Sequence, residues 1–227
     1  MDSLLIVTMN LNNFDSFKEH RNIINYKKLN WYYITDNKDL KSDFYKIIHI
    51  DEIKNKIKEN IIDIRVLCKY IKMNQHILFP EFKYYLHIDA SFEIKNKKLY
   101  NLLDKYIKDD LKLIFFKHNK MNSIAEEIKW CFDHRTIPRR MAKHLRKKYC
   151  VNYVDNILYE TGIYFRKNDI KINEMCNKWY IENRDMISRD QISLPYVLFT
   201  NDIKPDLVIV DNIRNNPLFG RLRFHNK

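Results

Sequence analysis

An aspartate stands where a buried strand is expected to end. The run KYYLHI, which begins at Lys83, is apolar and rich in β-favouring residues, and Asp89, Ala90 and Ser91 follow it directly. A carboxylate at that position is costly unless it is solvated or paired, and in open α/β sheets the carboxyl ends of the strands line the ligand crevice. We therefore expect Asp89 to face a binding site.

The helix predicted before this strand carries a row of basic side chains. Arg65, Lys69, Lys72 and His76 recur at helical spacing beside an apolar stripe. Such a row is either a solvated flank of the helix or a set of donors that reaches the same crevice as Asp89 and suits a phosphate. The spacing alone leaves both interpretations open.

Glycine is almost absent from the chain, which contains only Gly162 and Gly220. This count excludes the G-x-G-x-x-G fingerprint of dinucleotide-binding enzymes, the phosphate-binding P-loop and the G-x-S-x-G elbow. If the protein binds a nucleotide, it must hold the diphosphate by another device, and a metal ion on carboxylates is a common one.

The chain is strongly basic, with 41 Lys and Arg against 29 Asp and Glu and a net charge of +12. Nucleic acid, phosphate-bearing small molecules and an anionic membrane surface are all possible partners of such a charge. The densest basic segment, residues 134–148, has seven Lys and Arg and no acid. It is either a solvated helix or a contact for an anionic surface or an acidic substrate.

Cysteine usage and hydropathy indicate a cellular compartment. The four cysteines include no C-x-x-C pair, which argues against a zinc knuckle or a redox dithiol. The apolar runs are far shorter than the ~20 residues of a membrane-spanning helix, and no basic segment precedes the first of them. We expect a cytoplasmic protein that is not secreted, with peripheral contact to an anionic membrane through residues 134–148 as one option.

Strand and helix patterns alternate along the chain. Strands are predicted at residues 4–8, 31–35, 45–50, 84–88, 111–116 and 162–165, and helices at residues 52–75, 99–107, 123–132 and 187–199. This alternation favours a layered α/β fold with a mainly parallel sheet. Because neither an internal repeat nor a Gly/Ser linker interrupts it, we predict a single domain over residues 1–227.

Several segments together resemble one protein family. They run from Arg65 through HILFP into KYYLHIDASFEI, and continue with FFKHNKMNSIAEEI from Phe115, ETGIYFRKN from Glu160 and SRDQISLPYVL from Ser188. In this order, over roughly residues 30–198, the chain resembles the glycosyltransferase-like family that includes plant seed-mucilage proteins and bacterial and viral relatives. The Phe-Lys-His…Glu-Glu and Ser-Arg-Asp-Gln blocks are the most specific parts.

The resemblance implies a fold and an activity. The fold would be GT-A-like, a Rossmann-like, mainly parallel mixed sheet flanked by helices. Residues 1–95 would form the half that binds a nucleotide-sugar, with UDP as the expected nucleotide, and residues 96–227 the acceptor-binding half with the C-terminal tail. The activity would be transfer of the sugar to a glycan or a lipid-linked acceptor.

A GT-A-like enzyme needs positive charge at the donor diphosphate. The resemblance implies a divalent cation, Mn²⁺ or Mg²⁺, on Asp89 with Ser91 and, from the C-terminal tail, His225. The usual Asp-x-Asp motif here reads Asp89-Ala-Ser91, so an inactive protein that keeps the fold is one alternative. In another, Arg65, Lys69 and arginines of the tail neutralise the diphosphate without metal.

The ends of the first two strands would recognise the nucleoside of the donor. Thr8 and Asn10 follow the first predicted strand, and Thr35 and Asp36 end the second. Their hydroxyl, amide and carboxylate groups could bond to uracil or ribose. The alternative is turn chemistry, which these residue types also favour.

The Ser-Arg-Asp-Gln block would supply the base of the transfer step. Asp190 is the candidate general base, at the start of a helix that Ser188 would cap. The alternative is an acidic first-turn residue paired with Arg189 or another cation. Glu126 and Glu127 are further candidates, and because neighbours on a helix point about 100° apart, only one should face the site.

Three residues are candidates for binding the acceptor: His118, Arg189 and Gln191. His118 could instead be a structural hydrogen-bonding residue at a strand end. The residues after it, Lys120 and Met121, depart from the basic pattern of the family, which bears on the acceptor more than on the fold.

A function from a different class remains open for so basic a chain. It is a non-catalytic module that binds nucleic acid or a polyanionic glycan. Because no recognised nucleic-acid-binding motif is present and the aromatic residues do not alternate with the basic segment, we expect no nucleic-acid partner.

Overall fold

A computed structural model describes residues 3–20, 29–151, 157–184 and 189–221 of the chain. The strands are β1 (Leu4–Asn10), β2 (Asn30–Thr35), β3 (Lys46–His49), β4 (Tyr84–Ile88), β5 (Phe92–Ile94), β6 (Leu113–Lys117), β7 (Tyr159–Lys167), β8 (Leu207–Ile209) and β9 (Phe219–Arg221). Seven of them form one sheet in the order β3-β2-β1-β4-β7-β6-β8, and β5 pairs with β9 in a small separate ladder.

The sheet is mixed but mainly parallel. Strands β3, β2, β1 and β4 pair in parallel, β7 lies antiparallel between β4 and β6, and β8 pairs in parallel with β6. The chain moves to one side of β1 to form β2 and β3, and then to its other side to form β4. This reversal of direction opens a crevice at the carboxyl ends of β1 and β4. The predicted mainly parallel α/β sheet is confirmed.

Eight helices flank the sheet in the described ranges. They are α1 (Ile50–Lys56), α2 (Ile64–Met73), α3 (Gln75–Leu78), α4 (Lys98–Lys108), α5 (Ile124–Asp133), α6 (Arg139–Tyr149), α7 (Ile170–Arg184) and α8 (Asp190–Thr200). Because side chains alternate along a strand, Leu5 and Val7 of β1 belong to the core formed with α2, α7 and α8. Leu4 and Ile6 belong to the opposite core, formed with α4.

One predicted helix was wrong in its extent, and one helix was not predicted. The single helix predicted at residues 52–75 is three helices. The break before α2 arises because Asp63 caps the start of that helix by accepting the Arg65 N–H at 2.8 Å. Helix α7 was missed although its buried residues, among them Met175, Cys176 and Trp179, form one stripe, because the apolar side chains of Ile170 and Ile181 are exposed on the other side of the helix. Apolar residues on both faces weaken the contrast on which the helical period depends.

Candidate active site

A cleft of about 690 Å³ opens at the carboxyl ends of β1 and β4. Its wall is built by the loop after β1, the first turns of α2, the residues after β4 and the start of α8. The predicted site residues on this wall are Asn10, Arg65, Lys69, Asp89, Ser91, Arg189 and Asp190. We call this space the main cleft.

A smaller cavity of about 160 Å³ adjoins the main cleft. It is lined by Glu160, Thr161 and Gly162 of β7 and by Gln191 and Arg214. We call it the side cavity. The two spaces share four lining residues: Asp89, Ser91, Arg189 and Asp190.

Four charged side chains join α2, the end of β4 and the start of α8. Lys72 Nζ lies 2.7 Å from Asp190 Oδ2 and 3.4 Å from Asp89 Oδ1, and Lys69 Nζ lies 3.1 Å from Asp190 Oδ1. The side chain of Lys72 is 6% exposed and that of Asp89 is 38% exposed. These four residues, which we call the ion cluster, connect a buried ammonium to carboxylates on the cleft wall.

Both carboxylates of the ion cluster are held in their ionised form. Burial would raise the pKa of Asp190, but the positive charges of Lys69 and Lys72 outweigh it and hold that pKa well below the usual range. The pKa of Asp89 is also lowered, because Lys72 and a hydrogen bond from His87 outweigh the effect of burial. The predicted alternative for Asp190, pairing with a cation, describes its contacts in this structure.

A buried histidine orients Asp89 from behind. His87 lies on β4 with its side chain fully buried, and its Nε2 is 2.8 Å from Asp89 Oδ1. Burial lowers the pKa of His87, against the opposing effect of Asp89, so the imidazole is neutral at neutral pH. Since Nε2 faces a carboxylate, it carries the proton and donates it in a hydrogen bond.

Glu160 is the central group of the side cavity. Gln191 Nε2 donates to Glu160 Oε2 at 3.0 Å, while Arg214 Nη2 and His118 Nε2 lie 3.4 Å and 3.6 Å from Glu160 Oε1. His118 Nδ1 accepts two backbone N–H groups of the following loop at 3.3 Å and 3.0 Å. Burial lowers the pKa of His118, so the neutral ring presents its Nε2–H to Glu160.

A second buried ion pair fixes Arg189. Its Nη1 lies 3.1 Å from Glu127 Oε1, and its guanidinium lies over the Trp130 ring at 5.1 Å from the centroid. Glu127 is buried, whereas Glu126 is exposed and its Oε2 accepts a backbone N–H near the start of α5 at 2.7 Å. Neither glutamate lines the main cleft or the side cavity, and only Glu127 contacts a residue that does, Arg189. Ser188, the predicted cap of α8, lies outside the described residues.

Three of the four residues predicted to bind the nucleoside accept hydrogen bonds from loop backbone. Asn10 bonds through both side-chain atoms to the backbone of Asp15. Asp36 Oδ2 accepts a backbone N–H of the loop after β1 at 2.8 Å, and Thr35 Oγ1 accepts one from its own turn at 3.1 Å. Only Asn10 lines the main cleft, while Thr8 and Thr35 are buried. Local turn chemistry accounts for the contacts of Asn10 and Thr35, whereas Asp36 joins the loop after β2 to the loop after β1.

The described residues do not fit a divalent cation. Among them, no group of three His, Cys, Asp or Glu side chains could surround one ion. Asp89 Oδ1 already contacts His87 and Lys72, which leaves Oδ2 and the Ser91 hydroxyl, whereas Mg²⁺ favours octahedral oxygen ligation. The charge of Lys72 also opposes a second cation there. Because His225 lies outside the described residues, the set of Asp89, Ser91 and His225 stays a prediction.

Three residues of the site were not among the candidates from the sequence, and Lys72 was one only through the basic row of its helix. Lys72 stood in the basic row of α2, and His87 stands two residues before Asp89, so both had a local signal. Glu160 opens the ETGIYFRKN segment but lies within a buried strand. No sequence pattern around Arg214 indicates a site residue, and only the folding of the chain brings it next to Glu160.

Comparison with protein families gave one match. A family model described as TOD1/MUCI70, glycosyltransferase-like domain, matches residues 13–216. No curated protein matched the sequence.

Comparison with solved structures gave matches to glycosyltransferases. The apo structure of WbbM, a bifunctional glycosyltransferase, has a TM-score of 0.54 at 13% identity, covering 94% of this chain and 39% of that chain. This chain thus spans well under half of WbbM. A glycosyltransferase involved in glycosylation of the major capsid of PBCV-1 has a TM-score of 0.48 at 12% identity, covering 98% and 94% of the two chains. Core-mannan synthase A from Aspergillus fumigatus, in its Mn/GDP form, has a TM-score of 0.46 at 10% identity, covering 87% and 70%.

Replacing Gly162 by alanine should crowd the site. A Cβ at this position would lie 2.6 Å from Phe92 Cε2 and 3.1 Å from Asp89 Oδ2. Overpacking of this kind costs about 1–3 kcal/mol, so Gly162→Ala should lower the free energy of unfolding by that amount, as measured by urea denaturation. In the control, Gly220→Ala, the new Cβ meets the tips of the Lys95 and Glu93 side chains, which can move. Equal stability of the two variants would contradict the close approach.

Removing the ammonium of Lys72 should destabilise the protein strongly. Lys72→Met leaves the carboxylates of Asp89 and Asp190 without their shared partner, and breaking a buried ion pair costs about 3–5 kcal/mol. The free energy of unfolding should fall accordingly. The matched control is Lys108→Met, since Lys108 pairs with Asp104 on the exposed face of α4 and exposed pairs contribute little. A Lys72→Met protein as stable as the wild type would show that the carboxylates of Asp89 and Asp190 do not depend on this ammonium.

Proposed function

The chain belongs to the TOD1/MUCI70 glycosyltransferase-like family, and we propose that it transfers a sugar from a UDP-linked donor to a glycan or a lipid-linked acceptor. Sugar transfer in general is the activity that this family indicates. The nucleotide, the acceptor and the base are the proposal. One observation carries it: the main cleft and the side cavity meet at Asp89, Ser91, Arg189 and Asp190.

Two adjoining spaces suit a reaction between two sugars. The main cleft has the larger volume and its wall carries Arg65, Lys69 and Arg189, which suits a donor with a charged diphosphate. The side cavity is small and mostly polar, which suits the hydroxyl groups of an acceptor. A donor sugar at the boundary between the two spaces would have its anomeric carbon between the diphosphate in the main cleft and the acceptor in the side cavity.

Asp190 is the proposed base. Transfer breaks the bond between the anomeric carbon and the diphosphate oxygen and joins that carbon to an acceptor oxygen, whose proton must leave. The carboxylate of Asp190 lines both spaces, and it is ionised but weakly basic because Lys69 and Lys72 lower its pKa despite burial. A diphosphate bound to Lys69 would offset part of the positive charge that faces Asp190, and Asp190 would become more basic.

The acceptor would be oriented by fixed hydrogen-bonding groups. Glu160 accepts a hydrogen bond from Gln191 and lies near the positive Arg214 and the ring of His118, and Arg189 pairs with Glu127. Groups that are already positioned lose little freedom when the ligand binds, so they select one orientation of an acceptor hydroxyl. We assign acceptor binding to His118, Arg189 and Gln191, together with Glu160.

Replacing Asp190 should stop turnover while nucleotide binding persists. We expect the wild-type protein to release nucleotide from one or more of a panel of UDP- and GDP-sugars. Asp190→Asn should lower this rate by about 10²–10⁴-fold, the usual contribution of a general base. The matched control is Asp109→Asn, since Asp109 is an exposed residue at the end of α4. Circular dichroism would show that both variants fold.

Other outcomes of this assay are equally informative. If Asp190→Asn released nucleotide at the wild-type rate, the assignment of Asp190 as the base would be contradicted. Nucleotide binding without turnover by the wild type would favour a protein that keeps the fold but has lost activity. Neither binding nor turnover, together with tight binding to heparin or nucleic acid, would favour the non-catalytic basic module.

Helix α6 is the proposed contact with an anionic membrane that carries a lipid-linked acceptor. Its exposed side chains include Arg139, Arg140, Lys143, Arg146 and Lys147, while Ala142, Leu145 and Tyr149 pack against α5. Juxtamembrane basic residues attract anionic lipids additively. No helix in the described ranges is long and apolar enough to cross a bilayer.

Reversing charge on α6 should release the protein from vesicles. The double variant Lys143→Glu/Lys147→Glu should weaken binding to phosphatidylserine vesicles at least about 30-fold at low salt, measured by co-sedimentation, because each basic residue near the surface contributes about 1 kcal/mol. The control is Lys97→Glu/Lys98→Glu, two exposed lysines at the start of α4. Equal loss in both variants would point to net charge instead of this helix.

A further inference from the structure

The first turns of α2 bring cations to the wall of the main cleft. Arg65 and Lys69 are four residues apart, so they lie on one face of the helix, and both line the cleft. Arg189 lines it from the start of α8. Three cationic side chains from two helices therefore converge on one space.

Each of these cations has hydrogen-bonding capacity beyond its present contacts. Arg65 meets Asp63 through Nε and Nη2, and Arg189 meets Glu127 through Nη1. A guanidinium carries five N–H donors and an ammonium three, so further N–H groups of Arg65, Lys69 and Arg189 can reach phosphate oxygens. Such charge-assisted hydrogen bonds are among the strong ones.

Lys72 lies where a metal ion would join the two carboxylates. Its ammonium contacts Asp190 at 2.7 Å and Asp89 at 3.4 Å, so one buried cation already bridges them. A divalent ion on Asp89 would have to approach that ammonium closely, and like charges repel strongly where the medium is not water. His87 also engages the Asp89 oxygen that faces Lys72.

We infer that this chain binds a nucleoside diphosphate without a divalent cation, through Arg65, Lys69 and Arg189, with Lys72 as the built-in cation that joins Asp89 to Asp190. The inference rests on the proposed function, since it concerns the same donor site. It replaces the cation expected from the resemblance by side chains of α2 and α8. Binding of the nucleotide should then be insensitive to chelators.

Calorimetric titration of the full chain with UDP and with GDP tests this directly. Each nucleotide is titrated once in EDTA and once in Mn²⁺. We expect one of them to bind in EDTA with an affinity within about twofold of that in Mn²⁺. Lys69→Gln should weaken this binding about tenfold to hundredfold, as the loss of a charged hydrogen bond predicts.

Two variants make the result specific to the cleft. The matched control is Lys129→Gln, because Lys129 also pairs with an aspartate, Asp133, but on the surface of α5; its affinity should equal that of the wild type. If Lys69→Gln folds poorly, Arg65→Gln replaces it, since the Arg65 side chain is 67% exposed and its loss should weaken binding severalfold without affecting the fold.

The remaining outcomes separate this inference from the proposed function. Binding that requires Mn²⁺ and is lost in Asp89→Asn would overturn the inference and leave the proposed function standing. Binding in EDTA that Lys69→Gln and Arg65→Gln leave unchanged would also overturn it. Absence of binding by either nucleotide in both conditions would overturn the inference and the proposed donor site together.

Discussion

The buried ammonium of Lys72 is the contact on which the geometry of the site depends. It contacts both Asp89 at the end of β4 and Asp190 at the start of α8. Tyr164 of β7 donates a hydrogen bond to the backbone carbonyl of Lys72. A buried ion pair contributes little net stability, because desolvation offsets the attraction. Its effect here is positional, since three elements can meet at the crevice only if the charge of each carboxylate is balanced.

The sheet order explains why the crevice lies where it does. The order in which strands are added to the sheet reverses at β1, since β2 and β3 lie on one side of it and β4 on the other. The loops that follow β1 and β4 therefore diverge and leave space at the carboxyl ends of these strands. Gly162 of β7 lets Phe92 and Asp89 approach the sheet closely, which brings β7 to the wall of the side cavity. The main cleft and the side cavity, which we propose to hold donor and acceptor, therefore share a single set of residues.

The electrostatics of the site are set before any substrate binds. Lys69 and Lys72 keep Asp190 ionised, His87 orients Asp89, and Glu127 holds Arg189 in place. Dipoles and charges that are fixed in advance need no reorganisation during the reaction, which is the main source of electrostatic catalysis.

The sequence by itself determined the features that depend on local order. The strand ending at Asp89, the helical spacing of Arg65, Lys69 and Lys72, and the α/β alternation are all set by neighbours along the chain. Only the tertiary structure decided which of these groups meet: Lys72 with Asp190, and Glu160 with Arg214. Such contacts join segments far apart in sequence, so they follow from strand order and helix packing, which periodicity does not encode.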